Sequence, residues 1–501
     1  MLDRLRPDRL LSGTVLLGLL GSLLLAAGAM GAGAVLAQDP LLTGGPLSWL
    51  RYGHGRDIAR TVLYIGFGLL VWAWVRLGRD VVRGIATRRQ VVTAATVWIV
   101  PLLACPPLFT RDVYSYLGQG ALALAGMDPY EVGPSELPPG PISDNVHYLW
   151  QTTPAPYGPL FILISKLMYA ATGDSTIAGV FGMRLVLLIG FGLLVYALPR
   201  LAERLGGSAP ITLWLVVANP MMVVHLVGGP HNDLLMIGLL ATGTLLVLQR
   251  RHVTGIAVVT VAMSIKATAG VALPFLVCIW AARLVGRNRW IRLAKAIPAG
   301  LAVFGPVFTV ITLISGVGLG WIPALSAPSA IVNWMSLPTG VGQLVHGVVW
   351  LFVDVDRGPF IAVFRLLGLA LLATIMLRQW WLSRDGGTDV VRRTAIVLLS
   401  VALLSPPTLP WYLTWALVLG AGLAWTNRGL AYVVAASTWM VLASYPTGEA
   451  ALYSPIYLAG TVLASALAAT ALWRPDPLRI RPRPVDELVR PSAEPMTTAA
   501  R

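Results

Sequence analysis

Long apolar runs alternate along this chain with short polar or basic segments, from near the start to about residue 473. Many of the runs reach the roughly 20 residues that a helix needs to cross about 30 Å of hydrocarbon. A helix also satisfies its own backbone hydrogen bonds in lipid. We therefore expect an all-α polytopic membrane protein in which residues 1–473 form a single multi-span domain.

The periodicity predicts about fourteen transmembrane helices, with a range of about 13 to 15. They are expected near 13–36, 61–76, 90–108, 177–198, 210–226, 233–249, 253–268, 270–286, 296–315, 359–381, 394–409, 412–425, 429–445 and 455–473. The run 159–171 is short and flanked by proline, so it is either a re-entrant helix or a further span.

Composition excludes a soluble chain, because 56% of the residues are hydrophobic and only 12% are charged. The net charge of +15 lies in short clusters between apolar runs rather than in one basic stripe. This distribution predicts cytoplasmic loops in contact with membrane lipids and argues against a nucleic-acid partner. The N-terminus and a disordered tail, 474–501, are then cytoplasmic. The segments left on the outer face are 38–60, 109–176, 228–233 and 316–358.

The outer loop 109–176 concentrates acidic residues in a chain that otherwise avoids them. Asp112 follows Arg111 directly after an apolar run, so a rigid element would hold its carboxylate at the membrane surface. Partial desolvation there would bring the pKa of the carboxyl nearer neutrality, which suits a catalytic base. Alternatively, Asp112 caps the following helix, because Asp is a preferred N-cap residue.

Aromatic residues crowd the same loop and could form platforms for sugar rings. An interfacial aromatic belt explains them equally well. Asp128 lies among these residues, and Trp334 could complete a sugar or lipid site from the fourth outer segment. The candidates for an acceptor platform are Tyr114, Tyr116, Asp128, Tyr130, Tyr157 and Trp334.

The third outer segment places His231, Asn232 and Asp233 in consecutive positions between two apolar runs. Ionisable groups near membrane depth are functional candidates by default. We expect His231 and Asn232 to contact a phosphate or a sugar hydroxyl, whereas Asp233 could simply cap the next helix. Lys266 is expected at the outer end of its helix, either as a phosphate clamp or reaching towards the lipid headgroups.

Metal and cofactor sites are not indicated. Cys105 and Cys278 lie inside apolar runs without the spacing of a zinc site, and we expect both to be buried. Asp354 and Asp356 form a DxD pattern, which alone is a weak signal for a metal. We therefore expect a reaction that needs neither metal nor cofactor.

Five separated motifs, taken in order, resemble one family. They are TRDVYSY at 110–116, MDPY at 127–130, APYGP at 155–159, GGPHND at 228–233 and IKATAG at 265–270. The chain resembles the actinobacterial polyprenol-phosphate-mannose-dependent alpha-(1→6)-mannopyranosyltransferases of the MptA/MptB type, which belong to the GT-C superfamily. The likeness runs over most of 12–473.

The resemblance implies transfer of mannose, with inversion, from polyprenyl-phosphate-mannose to a mannan on a phosphatidylinositol-type glycolipid, at the periplasmic face of the plasma membrane. The mannan is the backbone of lipomannan and lipoarabinomannan. Asp112 would deprotonate the acceptor 6-hydroxyl. Arg111, His231, Asn232 and Lys266 would bind the donor phosphate or sugar. GT-C enzymes commonly carry the catalytic loop after the first helix, whereas here it follows the third predicted helix.

A polyprenyl-lipid or oligosaccharide flippase is the alternative from another class, because many helices with a few intramembrane charges also suit a transporter. The polar candidates of this chain gather at the outer ends of the helices rather than at the membrane midplane. No similarity between two halves is evident in the sequence. These features favour the enzyme.

Overall fold

The computed structural model describes residues 13–34, 36–42 and 44–474, and the predicted tail lies outside this range except for its first residue. Helices make up the regular structure, and these ranges contain no β-strand. The α-helices are α1 (Gly13–Ala32), α2 (Gly53–Val82), α3 (Arg88–Ile99), α4 (Asp112–Leu124), α5 (Tyr148–Gln151), α6 (Pro159–Thr172), α7 (Thr176–Leu205), α8 (Ala209–Val216), α9 (Asp233–Leu248), α10 (His252–Met263), α11 (Leu273–Arg283), α12 (Arg289–Ser315), α13 (Trp321–Ala324), α14 (Leu337–Trp350), α15 (Gly358–Ser383), α16 (Asp389–Leu404), α17 (Leu413–Gly420), α18 (Asn427–Val441) and α19 (Pro455–Ala471).

Every predicted span coincides with at least one helix, which confirms the all-α polytopic class. Three helices, α1 to α3, precede Asp112, in agreement with the sequence prediction. The run 159–171 forms α6. The apolar pattern missed α4 and α14, which lie inside segments predicted to be outer loops.

Five helices in the described ranges are long and apolar enough to cross a membrane alone, namely α1, α2, α7, α12 and α15. A sixth is obtained if α8 and the π-helix Met221–Gly228, which meet at 49°, count as one span. The other predicted spans are shorter or interrupted helices. Irregular backbone at membrane depth is tolerated where it is buried in protein or lines a cavity, and several of these interruptions occur at the candidate site.

Close packing of α7 on α9 depends on Gly190. A Cβ atom at this position would lie 2.1 Å from the carbonyl oxygen of Leu234. Only glycine therefore lets α7 approach the first turn of α9, where Asp233 lies.

The buried Arg184 of α7 ties two distant segments together. Its guanidinium donates to the carbonyls of Leu103 and Cys105, at 3.0 and 2.6 Å. It also donates to the carbonyls of Val227 and Gly228, at 3.0 and 2.6 Å. The first pair precedes Asp112 and the second precedes His231 in the chain, so one side chain fixes the relative position of both segments.

Candidate active site

A cavity of about 560 Å³ lies where the interrupted helices meet. Its wall combines residues from three segments predicted to be outer, 109–176, 228–233 and 316–358, with residues that follow α10 and α16. The residues of the wall that bear on chemistry are Asp112, Gln119, His231, Lys266, Trp411 and Tyr412.

Asp112 is the first residue of α4, and Arg111 occupies the N-cap position. The backbone N–H of Asp112 donates to the hydroxyl of Thr110 at 3.0 Å. Its carboxylate faces the imidazole of His231, with Oδ2 3.5 Å from Nε2. The side chain is 16% exposed and lines the cavity. The carboxylate is thus paired with a histidine, rather than serving as the N-cap of α4.

His231 is fixed on both sides of its ring. Its Nδ1 forms a hydrogen bond with the carbonyl oxygen of His225, and its ring stacks on Trp411 with centroids 3.6 Å apart. Because a carbonyl oxygen can only accept, Nδ1 carries a hydrogen. The other ring nitrogen, Nε2, faces the carboxylate of Asp112.

The electrostatics of Asp112 differ from the sequence expectation. Burial alone would raise the pKa of the carboxyl, but the hydrogen bond and charge of His231, with a smaller contribution from Lys266, lower the pKa below its ordinary value. The expectation of a pKa nearer neutrality is therefore wrong. Asp112 is ionised at neutral pH and can accept a proton.

Lys266 is paired with Asp233, which lies on a different helix. The ammonium nitrogen lies 2.9 and 2.8 Å from the two carboxylate oxygens of Asp233. The indole N–H of Trp415 donates to the same carboxylate. The Lys266 nitrogen also lies 5.2 Å from the ring centroids of Tyr412 and Trp415. Lys266 therefore lies within the site rather than reaching towards the headgroups.

This pairing changes what Lys266 can offer to a ligand. An ammonium has three donors, and Asp233 takes two of them. The side chain of Lys266 keeps 15% of its surface exposed, whereas the Asp233 carboxylate is fully buried. One donor is left for a ligand in the cavity, and the buried carboxylate holds the ammonium in position.

Several predicted site residues pack behind the cavity wall or within it. Tyr116 and Tyr157 line the cavity and pack edge to face, with ring centroids 5.3 Å apart. Tyr130 donates its hydroxyl to the Tyr157 carbonyl at 2.9 Å. The Tyr130 N–H donates to the Asp128 carboxylate at 2.8 Å, which closes a turn. Asp128 and Tyr130 therefore support the wall through Tyr157. Tyr114 is buried in the core beside this region.

The remaining predicted residues lie apart from the cavity. Asn232 is fully buried, and neither polar atom of its amide has a hydrogen-bond partner among the described residues. Arg111 is half-buried, and burial lowers the pKa of its guanidinium while the charge of Glu449 acts in the opposite direction. Trp334 lines a second cavity together with Trp439, at ring centroids 6.5 Å apart.

Sequence reasoning missed the roles of Asp233, His225 and Trp415. A helix cap is one interpretation of Asp233 in the sequence, although an acidic residue at the start of the apolar helix α9 is itself a signal of function. Trp415 follows Trp411 by four residues, which places the two indoles on one helical face. Nothing in the sequence indicated that the carbonyl of His225 would orient His231.

The DxD pattern lies at the surface. Asp354 and Asp356 line a shallow pocket with His346, Trp350 and Arg357. The part of the chain that the structure describes contains no group of three or more His, Cys, Asp or Glu that could hold a metal ion. A reaction without metal stays a prediction.

Comparisons with known proteins agree with the sequence resemblance. A family model described as "Alpha-(1->6)-mannopyranosyltransferase, N-terminal domain" matches residues 15–282, and one described as "MptB C-terminal domain" matches 338–474. Alpha-(1->6)-mannopyranosyltransferase A of Mycobacterium tuberculosis is 41% identical over 92% of this chain and 89% of its own length.

Two relatives from Corynebacterium glutamicum extend this similarity. Alpha-(1->6)-mannopyranosyltransferase A is 35% identical over 78% of this chain and 84% of its own length. Alpha-(1->6)-mannopyranosyltransferase B is 30% identical over 82% and 73%. No solved structure matches the chain. The multi-pass membrane fold, the ordered motifs and these matches together establish that the chain belongs to the MptA/MptB family of alpha-(1→6)-mannopyranosyltransferases.

Proposed function

We propose that the protein transfers mannose from polyprenyl-phosphate-mannose to the 6-hydroxyl of a mannan acceptor. The acceptor is carried on a phosphatidylinositol-type glycolipid, and each transfer forms an alpha-(1→6) linkage of the lipomannan and lipoarabinomannan backbone. The names of the relatives support the linkage and the sugar. We further propose that the donor is lipid-linked, that the reaction inverts the configuration at C1, and that transfer takes place at the periplasmic face of the plasma membrane.

One observation carries the proposal: Asp112 and Lys266, an ionised carboxylate and an ammonium, line the same cavity. In the proposed reaction, the acceptor 6-hydroxyl oxygen forms a bond to C1 of mannose, and its proton passes to Asp112. The bond between C1 and the phosphate oxygen breaks, and the electron pair leaves with the polyprenyl phosphate. The free donor of Lys266 offsets the charge of this leaving group.

His231 and Asp233 support these two groups without the need to touch the substrate. The imidazole of His231, 3.5 Å from the carboxylate, lowers the pKa of Asp112 and orients its side chain. The buried carboxylate of Asp233 holds Lys266 at the cavity wall. Gln119 and Tyr157 also line the cavity and offer polar groups to sugar hydroxyls.

The proposal is tested with the purified full chain in lipid nanodiscs and a synthetic alpha-mannoside acceptor. We expect transfer from polyprenyl-phosphate-mannose and none from a nucleotide-linked mannose. Linkage analysis of the product should give an alpha-(1→6) bond, formed with inversion of a beta-linked donor. Transfer from the nucleotide donor, or a product with retained configuration, would overturn the proposal. Movement of lipid-linked sugar across vesicles without transfer would favour the flippase alternative.

A further inference from the structure

A second, almost wholly apolar cavity adjoins the candidate active site. It has a volume of about 460 Å³ and lies between α10, α11 and α12, with Trp380 of α15 at one side. Ala267 lines both this cavity and the active-site cavity. Ala267 directly follows Lys266 in the chain, so the apolar cavity begins beside the proposed phosphate-binding ammonium.

The apolar cavity extends away from the active site along α12. At the near end, Phe304, Met263 and Ala267 line the cavity and pack against one buried cluster. Leu293 and Cys278 mark the far end. Phe304 and Leu293 are eleven residues apart, which corresponds to about 16 Å along a helix at about 1.5 Å per residue. This length is about half of the roughly 30 Å thickness of the hydrocarbon layer.

Small residues keep this space open. A Cβ atom on Gly300 would lie 2.8 Å from Cγ2 of Val277, and one on Gly270 would lie 2.6 Å from the sulfur of Met263. α12 packs loosely, because only 11% of its most apolar stretch is buried. Ile297 and Leu301, which line the cavity from α12, are 42% and 60% exposed. The cavity is thus accessible from the lipid side.

We propose that this cavity binds the isoprenoid chain of the lipid-phosphate donor. The inference rests on the proposed function, because it assigns a site to the tail of that donor. A phosphate held by Lys266 places the attached chain at Ala267, and the cavity that continues from there to Leu293 is lined mainly by apolar side chains. The chain enters from lipid rather than from water, so close van der Waals packing against a preformed apolar wall, and not the hydrophobic effect, favours binding.

The test compares donors that differ only in chain length. Ile297→Trp and Leu301→Trp each add a large ring to a residue that lines the cavity, and both positions are exposed enough to spare the fold. Leu313→Trp is the matched control, because Leu313 lies on the same helix, is 74% exposed and does not line either cavity. Each full-length variant in nanodiscs receives mannose on a long polyprenyl phosphate or on geranyl phosphate.

We expect the two cavity variants to raise KM for the long-chain donor by about tenfold or more, which corresponds to about 1.4 kcal/mol of binding free energy. KM for the geranyl donor and all values for Leu313→Trp should stay within about twofold of the unmodified protein. Equal effects on the two donors, or no effect on either, would overturn the inference and indicate a cavity filled by ordinary membrane lipid. Failure of the proposed function is distinguishable, because the unmodified protein would then use neither donor.

Discussion

At the scale of single residues, the candidate site is built from two pairs of side chains that join distant parts of the chain. Asp112 and His231 form one pair, and Asp233 and Lys266 form the other. In each pair, the more deeply buried residue holds its partner in place at the cavity wall. His231 holds Asp112, and Asp233 holds Lys266. Sequence patterns identified Asp112, His231 and Lys266 as candidates, but they could not reveal the pairing, because each partner lies on a separate helix or loop.

His231 should set the pH range in which Asp112 acts as a base. The hydrogen bond and charge of His231 lower the pKa of Asp112, so the carboxylate stays ionised at lower pH than it otherwise would. His231→Phe keeps a ring to stack on Trp411 but removes both nitrogen atoms. With burial no longer offset, the pKa of Asp112 rises, and the acid limb of kcat/KM should move to higher pH. An acid limb at the same pH in the variant would contradict this role.

Lys266 and Asp233 should behave as a coupled pair. Removal of one partner leaves a buried charge unpaired, which typically costs about 3–5 kcal/mol. Lys266→Met should therefore lower the thermal melting temperature in nanodiscs more than the double variant Lys266→Met with Asp233→Asn. The single variant should also weaken use of the donor more than use of the acceptor. Additive losses of stability in the double variant would argue against the ion pair.

At the scale of helices, the apolar pattern predicted where helices lie but not where they break. The predicted span 253–268 ends early at Met263, and the next predicted span starts with the 3₁₀-helix Ala267–Ala272. Lys266 lies at this break. Hydropathy cannot show such breaks, because the residues around them stay apolar while the polar backbone turns towards a cavity. The same argument applies to the break at 217–220, inside the predicted span 210–226, where α8 ends before the π-helix Met221–Gly228.

Arg184 should be essential for the arrangement of these interrupted segments. Four carbonyl groups accept hydrogen bonds from its guanidinium, and each unsatisfied buried polar group costs about 1–3 kcal/mol. Arg184→Leu should lower the melting temperature and reduce kcat with little change in donor KM. Arg184→Lys should not restore either property, because an ammonium lacks the planar fork of donors. Arg200→Lys is a control on the same helix, since within the described residues Arg200 donates to a single carbonyl, that of Tyr196 in its own helix. Full activity of Arg184→Leu would show that the segments keep their positions without it.

At the scale of the whole molecule, the fold class followed from composition and from the length of the apolar runs. The side of the membrane on which the site lies is a prediction from the basic clusters, which are expected in the cytoplasm. The family motifs add the chemistry, because they coincide with the segments that meet at the cavity: Asp112, His231 and Lys266 all come from quoted motifs. The apolar cavity beside the site could not be predicted from the sequence, because it depends on how α10, α11 and α12 pack.

Cysteine labelling can test the predicted orientation. The two native cysteines are buried, so a membrane-impermeant maleimide should leave the unmodified protein unlabelled. Ser135→Cys introduces an exposed thiol in the predicted outer loop, and Arg287→Cys introduces one in a predicted cytoplasmic loop. In intact cells with a permeable outer layer, Ser135→Cys should be labelled and Arg287→Cys should not until the membrane is opened. The reverse pattern would place the candidate site on the cytoplasmic side.

Replacement of Asp112 is the most direct test of catalysis by this cavity. Asp112→Asn keeps the size of the side chain but cannot accept a proton, and general base catalysis typically contributes about 10²–10⁴-fold. Transfer of mannose to an alpha-mannoside acceptor by purified Asp112→Asn should therefore fall by at least about 10²-fold, with donor binding retained. Asp128→Asn, in the supporting turn of the same loop, should keep most of the activity. Transfer at the unmodified rate by Asp112→Asn would contradict the assignment of Asp112 as the base.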